Sequence, residues 1–454
     1  MRNSTAGWKT DTASCWVNID TAYGVSTPRE TRPRSRSASK RWWKRNWSCS
    51  ATERAGCQGV KTGRGGWDGG VSKLFSHIIG QELAVALLSR ALEQGAAHAY
   101  LLCGPSGVQK MDAALAFAAG LVCAQGGCGE CNACRRVREG LHPDVELVTP
   151  AGNLFRVEEV REAITHHAAY RPFEADSRAK VFIVTEAEAL RGVQGEPANH
   201  LLKTLEEPPR HVYFILVADR LEDVIPTLVS RCQVVEFRPV PAPLIAGDLV
   251  ARHGLSFAEA SLIARVAEGD LEYARELADE EEARRRRDRL LDLARDLPAA
   301  GLIQTEAAAD AALALAEEGA PNLETRMTEE LERRLQWAAD AREREWLKKR
   351  HDQLLKRRLR RLRTERLVML TRVFAGWYRD LALVSLGAEA AVLNQDRLEE
   401  LRASAVPGCL PAYHRAVLVV RRTRDRLRYN VDARCTIGDM FRSIKEALTE
   451  WPMS

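Results

Sequence analysis

Patterned sequence begins abruptly at Leu74; before it neither helical nor strand periodicity can be found. His98-Ala-Tyr-Leu-Leu-Cys103 is a short apolar run of strand length. It enters the turn-like stretch Gly104-Pro-Ser-Gly-Val-Gln-Lys-Met111, and an apolar helix-like segment follows over 112–121. β-Rich runs recur at 179–185 and 212–217, and the stretch 225–237 runs into another strand. Between them, Ala198, Leu201, Leu202 and Leu205 stand at helical spacing, and the pair Pro208-Pro209 stops that helix. Strands alternating with helices predict an α/β module with a parallel, doubly wound sheet over residues 71–239.

Past residue 240 the strand signal disappears. Ser256-Phe-Ala-Glu-Ala-Ser-Leu-Ile-Ala-Arg-Val-Ala-Glu268 reads as a helix stopped by Gly269-Asp270, one of several short helices over 240–300. Further on, Leu355, Leu359, Leu362, Leu370, Phe374 and Trp377 step by threes and fours, with Arg366 in the intervening slot. This predicts an amphipathic helix with an apolar face and a basic face that is solvated, or that touches DNA. Residues 300–340 are rich in Ala and Glu and carry no usable motif.

Composition alters this picture at the N-terminus. The whole chain has a net charge of +5, but residues 1–70 hold 13 Lys/Arg and 5 Asp/Glu, so the remainder is at −3. Residues 1–70 also hold six of the ten tryptophans and read as a disordered basic extension, as a basic arm for nucleic acid, or as sequence upstream of a true start at Val71. With 45% apolar and 28% charged residues, no apolar run of spanning length and no secretory signal, the expectation is a soluble cytoplasmic protein without a membrane partner.

The candidate chemistry starts at the turn after the first strand. Strand, Gly-rich turn, Lys and helix form the layout of a phosphate-binding loop, with Gly104, Gly107 and Lys110 in place. The glycine expected before the lysine is Gln109, and the hydroxyl residue expected after it is Met111. A thioether is a poor ligand for a cation that prefers oxygen. Binding of ATP or ADP is compatible with such a loop; hydrolysis is not expected, and the plain alternative is a tight strand-to-helix turn. Thr185 stands where a magnesium-holding acid belongs at a strand end, leaving Glu186 alone there.

Cys123, Cys128, Cys131 and Cys134 lie within twelve residues, separated by Gly126, Gly127 and Gly129. Four thiolates so spaced can close a tetrahedral structural zinc site, and Arg135, Arg136 and Arg138 beside them would favour the thiolate form. A redox pair, or unrelated buried cysteines, are the alternatives.

The succession "HIIGQELAVALL" at 77–88, the altered loop, the four cysteines, "HPD" at 142–144, "LLKTLEEPP" at 201–209 and "SRC" at 230–232 resembles the bacterial clamp-loader family of AAA+ proteins. Within that family it looks most like the delta-prime type of DNA polymerase III subunit, in which the loop is degraded and Ser-Arg-Cys retained. The resemblance implies an AAA+ core with a zinc insertion over 71–239, an all-α lid over 240–300 and an all-α oligomerisation collar over 301–454. It implies that Arg231, with Ser230, serves as an arginine finger at a neighbour's ATP site. It implies gamma/tau and delta subunits, the sliding clamp and primed DNA as partners. An active ATPase of the gamma/tau type and a zinc-dependent nucleic-acid-binding module are the competing readings.

Overall fold

The computed structural model describes residues 73–150, 154–166, 171–174, 177–191, 196–318, 320–336, 341–427 and 432–449. The expectations for residues 1–70 lie outside them.

Five parallel strands form one sheet: β1 (Ala99–Cys103), β2 (Val145–Val148), β3 (Lys180–Val184), β4 (Val212–Ala218) and β5 (Gln233–Glu236), in the order β2-β3-β4-β1-β5. β1 and β4 are buried along nearly their whole length, which is why they read as continuous apolar runs. Alternate side chains go to opposite faces. Tyr100, Leu102, Val181 and Ile183 join one hydrophobic cluster, and Ala99, Leu101, Phe182 and Val184 join the other. The first cluster is covered by α1 (Glu82–Gln94), α2 (Lys110–Val122) and α3 (Asn132–Arg138). The second is covered by α4 (Glu196–Glu206) and α5 (Pro226–Val229), through Ala198, Leu201, Leu205 and Leu228. The α/β reading of this region agrees with the structure.

The rest of the described chain is helical: α6 (Ala242–His253), α7 (Phe257–Val266), α8 (Leu271–Asp279), α9 (Glu281–Asp296), α10 (Leu302–Glu317), α11 (Ala320–Gln336), α12 (Ala341–Ser385), α13 (Leu398–Ser404), α14 (Leu410–Leu427) and α15 (Ala433–Thr449). Helix α7 starts at a capping box: the Ser256 hydroxyl accepts from the Glu259 N–H, and Glu259 accepts from the Ser256 N–H. A single hydrophobic cluster runs from Val240 and Leu249 through Leu290 and Leu315 to Trp377 and Phe441.

The 45-residue helix α12 agrees with the expected apolar face and qualifies the basic one, where Lys348, Lys349, Lys356 and Arg358 are exposed but other arginines are paired. Leu370, Phe374 and Trp377 are buried, but Leu355, Leu359 and Leu362 are only half-covered. The basic residues are not simply solvated. Arg360 pairs with Glu186 (3.2 Å), Arg366 with Glu276, Arg372 with Asp270 (2.8 Å) and Arg379 with Glu268 (2.8 Å). These arginines bind acids of the preceding helices and of the segment after β3, so they are not presented as an unneutralised surface for DNA.

Asp248 on α6 shows how the shorter helices are held. It accepts from Arg252 (2.7 Å) on its own helix and from Arg275 (2.8 Å) on α8. Burial would raise its carboxyl, but the two guanidinium groups outweigh that and keep it below the ordinary carboxylate range. A depressed folded-state value means stability that is present above the unfolded value and lost as pH falls through the folded one. Asp248→Asn is therefore expected to cost about 2–4 kcal/mol at neutral pH, mostly from stranded arginines. In urea titrations the gap from wild type should begin to narrow as pH falls past the ordinary aspartate value of about 4 and close only once pH has fallen through the lower folded-state value.

Candidate functional site

The phosphate loop runs from the end of β1 into α2. Gly104 is required by close approach, because a Cβ there would lie 2.4 Å from the Phe237 carbonyl oxygen. Lys110 opens α2 and its side chain is only 7% exposed. Its ammonium donates to the carbonyls of Gly104 and Pro105 (2.9 Å) and to Asp219 Oδ1 (2.7 Å) at the end of β4. An ammonium has three hydrogens, and these three acceptors occupy all of them.

Gln109 adopts a left-handed conformation (φ 63°), where glycine is the easier residue. Its buried amide turns to the segment before α1: Oε1 accepts from the Ile79 N–H (2.9 Å), and Nε2 donates to the His77 carbonyl (3.0 Å). Thus the residue that departs from the loop pattern ties the loop to the "HIIGQ" segment. Met111 packs on the sheet cluster.

The loop is also joined to the helical region. The Gly107 carbonyl accepts from the backbone N–H groups of Leu271 (2.9 Å) and, more distantly, Glu272 (3.4 Å), at the N-terminus of α8. Asp270 caps that helix by accepting from the Tyr273 N–H (2.9 Å), and its other oxygen holds Arg372, whose guanidinium lies 5.2 Å from the Tyr273 ring centroid. A Cβ on Gly107 (φ 73°) would sit 1.7 Å from Asp270 Oδ1.

At the neighbouring strand ends, Thr185 donates to the Thr149 hydroxyl (3.1 Å), and Glu186 pairs with Arg360. Glu188 accepts from the Asp219 N–H (3.0 Å), and burial pushes its carboxyl above the usual range. Asp219, Glu188 and Arg372 were not singled out from sequence, and Asp270 was read only as part of a helix stop. Asp219, the side-chain partner of Lys110, and Leu271, the partner of Gly107, lie more than a hundred residues away, and no local pattern announces them.

Ser230 and Arg231 follow α5. The Ser230 hydroxyl donates to the Thr227 carbonyl (3.0 Å). Arg231, its side chain 34% exposed, donates to the Thr227 carbonyl (3.1 Å), contacts Ser230 Oγ (3.5 Å) and pairs with Glu206 Oε1 (2.5 Å) at the end of α4. A groove of about 430 Å³ lined by Leu221, Val224, Pro226 and Val229 reaches Ser230.

The structure gathers all four cysteine sulfurs within 4.8 Å of one another. Cys123 Sγ lies 3.9 Å from Cys128 Sγ and 3.7 Å from Cys131 Sγ. A tetrahedron of zinc–sulfur bonds has edges of about 3.8 Å. The cluster is compatible with zinc. Burial disfavours the Cys123 thiolate, but N–H groups of Cys128, Gly127 and Gln125 prevail and lower its pKa to about 6. The neighbouring arginines have other tasks: Arg136 pairs with Glu174, and Arg138 donates to the Gly129 carbonyl (3.4 Å). The "HPD" motif is an adjacent structural pin, with buried Asp144 accepting from the N–H groups of Phe173 (2.5 Å) and Glu174 (3.2 Å).

Residues 80–241 match the family model described as DNA polymerase III, delta subunit. Among curated relatives, DNA polymerase III subunit delta' of Bacillus subtilis is 32% identical over 174 residues, 37% of this chain and 51% of that protein. Subunit tau of the same organism is 35% identical over 216 residues, 45% of this chain and 37% of the relative. Subunit tau of Salmonella typhimurium is 27% identical over 360 residues, 77% of this chain and 50% of the relative. The chain thus spans about half the length of these relatives or less. Over the sheet module the chain is similar in sequence to DNA polymerase III subunits of both the delta' and the tau/gamma kinds.

Two outcomes follow from this geometry. Gly107→Ala should destabilise the full chain by about 2–3 kcal/mol in urea unfolding and speed protease cleavage around 270, because its Cβ displaces Asp270. Purified protein should hold about one equivalent of zinc by elemental analysis, and Cys131→Ser should release it. Wild-type protein with far less than one equivalent would refute a zinc centre.

Proposed function

We propose that this chain is a delta-prime-type subunit of a DNA polymerase III clamp loader, one that completes the assembly without hydrolysing ATP itself. In this reading residues 71–239 are an AAA+ core with a structural zinc insertion, 240–300 a helical lid and 301–454 the collar that joins it to gamma/tau and delta subunits. The assembly loads the sliding clamp on primed DNA in the cytoplasm; among the described residues no helix is long and apolar enough to cross a membrane.

The observation that carries the reading is the contrast between two cations. Lys110 is buried with all three ammonium hydrogens engaged inside the chain, whereas Arg231 is partly exposed and follows Ser230, which lines an open groove. A guanidinium so placed can offset charge on a phosphoryl group transferred in an adjoining subunit. Gln109, Met111 and Thr185 support the same division. Zinc would hold the 123–134 loop in shape through Cys123, Cys128, Cys131 and Cys134 and, with four protein ligands, take no part in reaction chemistry.

An active gamma/tau-type ATPase is favoured by one observation, the comparable identity to tau subunits. The two readings differ in which cation matters. In an assembly reconstituted with gamma/tau-type and delta subunits, Arg231→Ala should slow ATP hydrolysis at the adjoining site by about 10³-fold. Lys110→Ala should leave the DNA-stimulated rate nearly unchanged. The reverse pattern would establish the ATPase reading.

A further inference from the structure

We propose that Glu206 is a positioning residue for Arg231, fixing the guanidinium so that it meets a neighbour's phosphoryl group in one orientation. The inference rests on the reading of Arg231 given above. Arginine ends a long, freely rotating side chain, and an untethered one would lose that freedom on each encounter with phosphate. Here the group is held from two sides: Nη2 by Glu206 on α4, and Nη1 by the Thr227 carbonyl of α5 and the hydroxyl of Ser230 just after it.

Both anchors have rigid backing. Leu205, next to Glu206, is buried in the same cluster as Leu228 of α5. The pair Pro208-Pro209 ends α4 just beyond Glu206, which fixes where its carboxylate emerges. Among the described contacts, Thr227, Ser230 and Glu206 take three of the five guanidinium hydrogens. Two are left for phosphoryl oxygens, so the tether and the phosphate are compatible. Glu206 is itself half-exposed, and an exposed ion pair contributes little to folding, so a change there can be read as orientation.

The test compares Arg231→Ala, Glu206→Ala and the double variant in the reconstituted assembly, reading the adjoining subunit's ATP hydrolysis. Glu206→Ala is expected to lower kcat about tenfold while KM stays within about twofold, with no change in thermal midpoint. The double variant should be no slower than Arg231→Ala alone, because no guanidinium remains to be positioned. If Arg231→Ala slows hydrolysis while Glu206→Ala does not, or if the two effects add, the Glu206 inference is overturned and the role of Arg231 stands. If Arg231→Ala has no effect, the reading of Arg231 fails and the Glu206 inference falls with it.

Discussion

The hydrogen bond from the Leu271 N–H to the Gly107 carbonyl is the contact on which the arrangement of this chain turns. A helix N-terminus has unsatisfied N–H groups and a partial positive charge, and a phosphate loop is built to supply such groups to an anion. In this chain the loop also supplies a carbonyl, that of Gly107, and receives with it the N-terminus of α8. Asp270 caps that helix, and Arg372 of α12 holds Asp270 in turn, so the sheet module, the short helices and the long helix converge at one glycine. Each hydrogen bond contributes only about 1 kcal/mol net, yet removing one partner of a largely buried ion pair such as Asp270–Arg372 costs about 3–5 kcal/mol. The side-chain pair is thus the stronger half of the junction, and the glycine is what lets it come so close.

Pairs of the same kind account for part of the charge pattern of the C-terminal half. After residue 70 the chain is slightly acidic, at −3, although α12 is strongly basic. Arg360, Arg366, Arg372 and Arg379 meet Glu186, Glu276, Asp270 and Glu268. These four arginines and the acids they meet form one internal set, while Lys348, Lys349, Lys356 and Arg358 of the same helix are exposed. A net charge summed over both hides this matching, and a charge count taken over α12 alone overstates what is free to meet DNA.

Much of the fold was legible in the sequence because it rests on local signals. The runs at β1, β3 and β4 are apolar because those strands are covered on both faces, Ser256 and Glu259 announce the start of α7, and Pro208-Pro209 mark the end of α4. The four cysteines could be grouped by spacing alone, since all lie within one short loop and helix. What escaped was every contact between distant residues that assigns a role. Lys110 to Asp219, Gly107 to Leu271, Asp270 to Arg372 and Arg231 to Glu206 join separate segments, and an ion pair leaves no periodic trace in either one. Gln109 shows the opposite case. Its departure from the loop pattern was visible, but its new task, bonding Ile79 and His77, depended on where the chain before α1 lies.

These long-range contacts also set how available each cation is. Redirecting Lys110 to a phosphate would break three bonds at a buried ammonium, two to carbonyls of the loop that would have to hold the phosphate and one to Asp219. The carbonyls would then lose their donor as the ligand arrived, so the cost falls on the site itself. Redirecting Arg231 disturbs at most one exposed pair, of a kind whose contribution is about 0–1 kcal/mol, and its backbone anchor at Thr227 can remain. A phosphoryl group approaching from outside therefore meets little resistance at Arg231, whereas the fold already occupies Lys110. On the proposed delta-prime-type reading, burial and prior partners, as well as the missing glycine and hydroxyl, would make the loop a joint and leave the arginine as the group that acts.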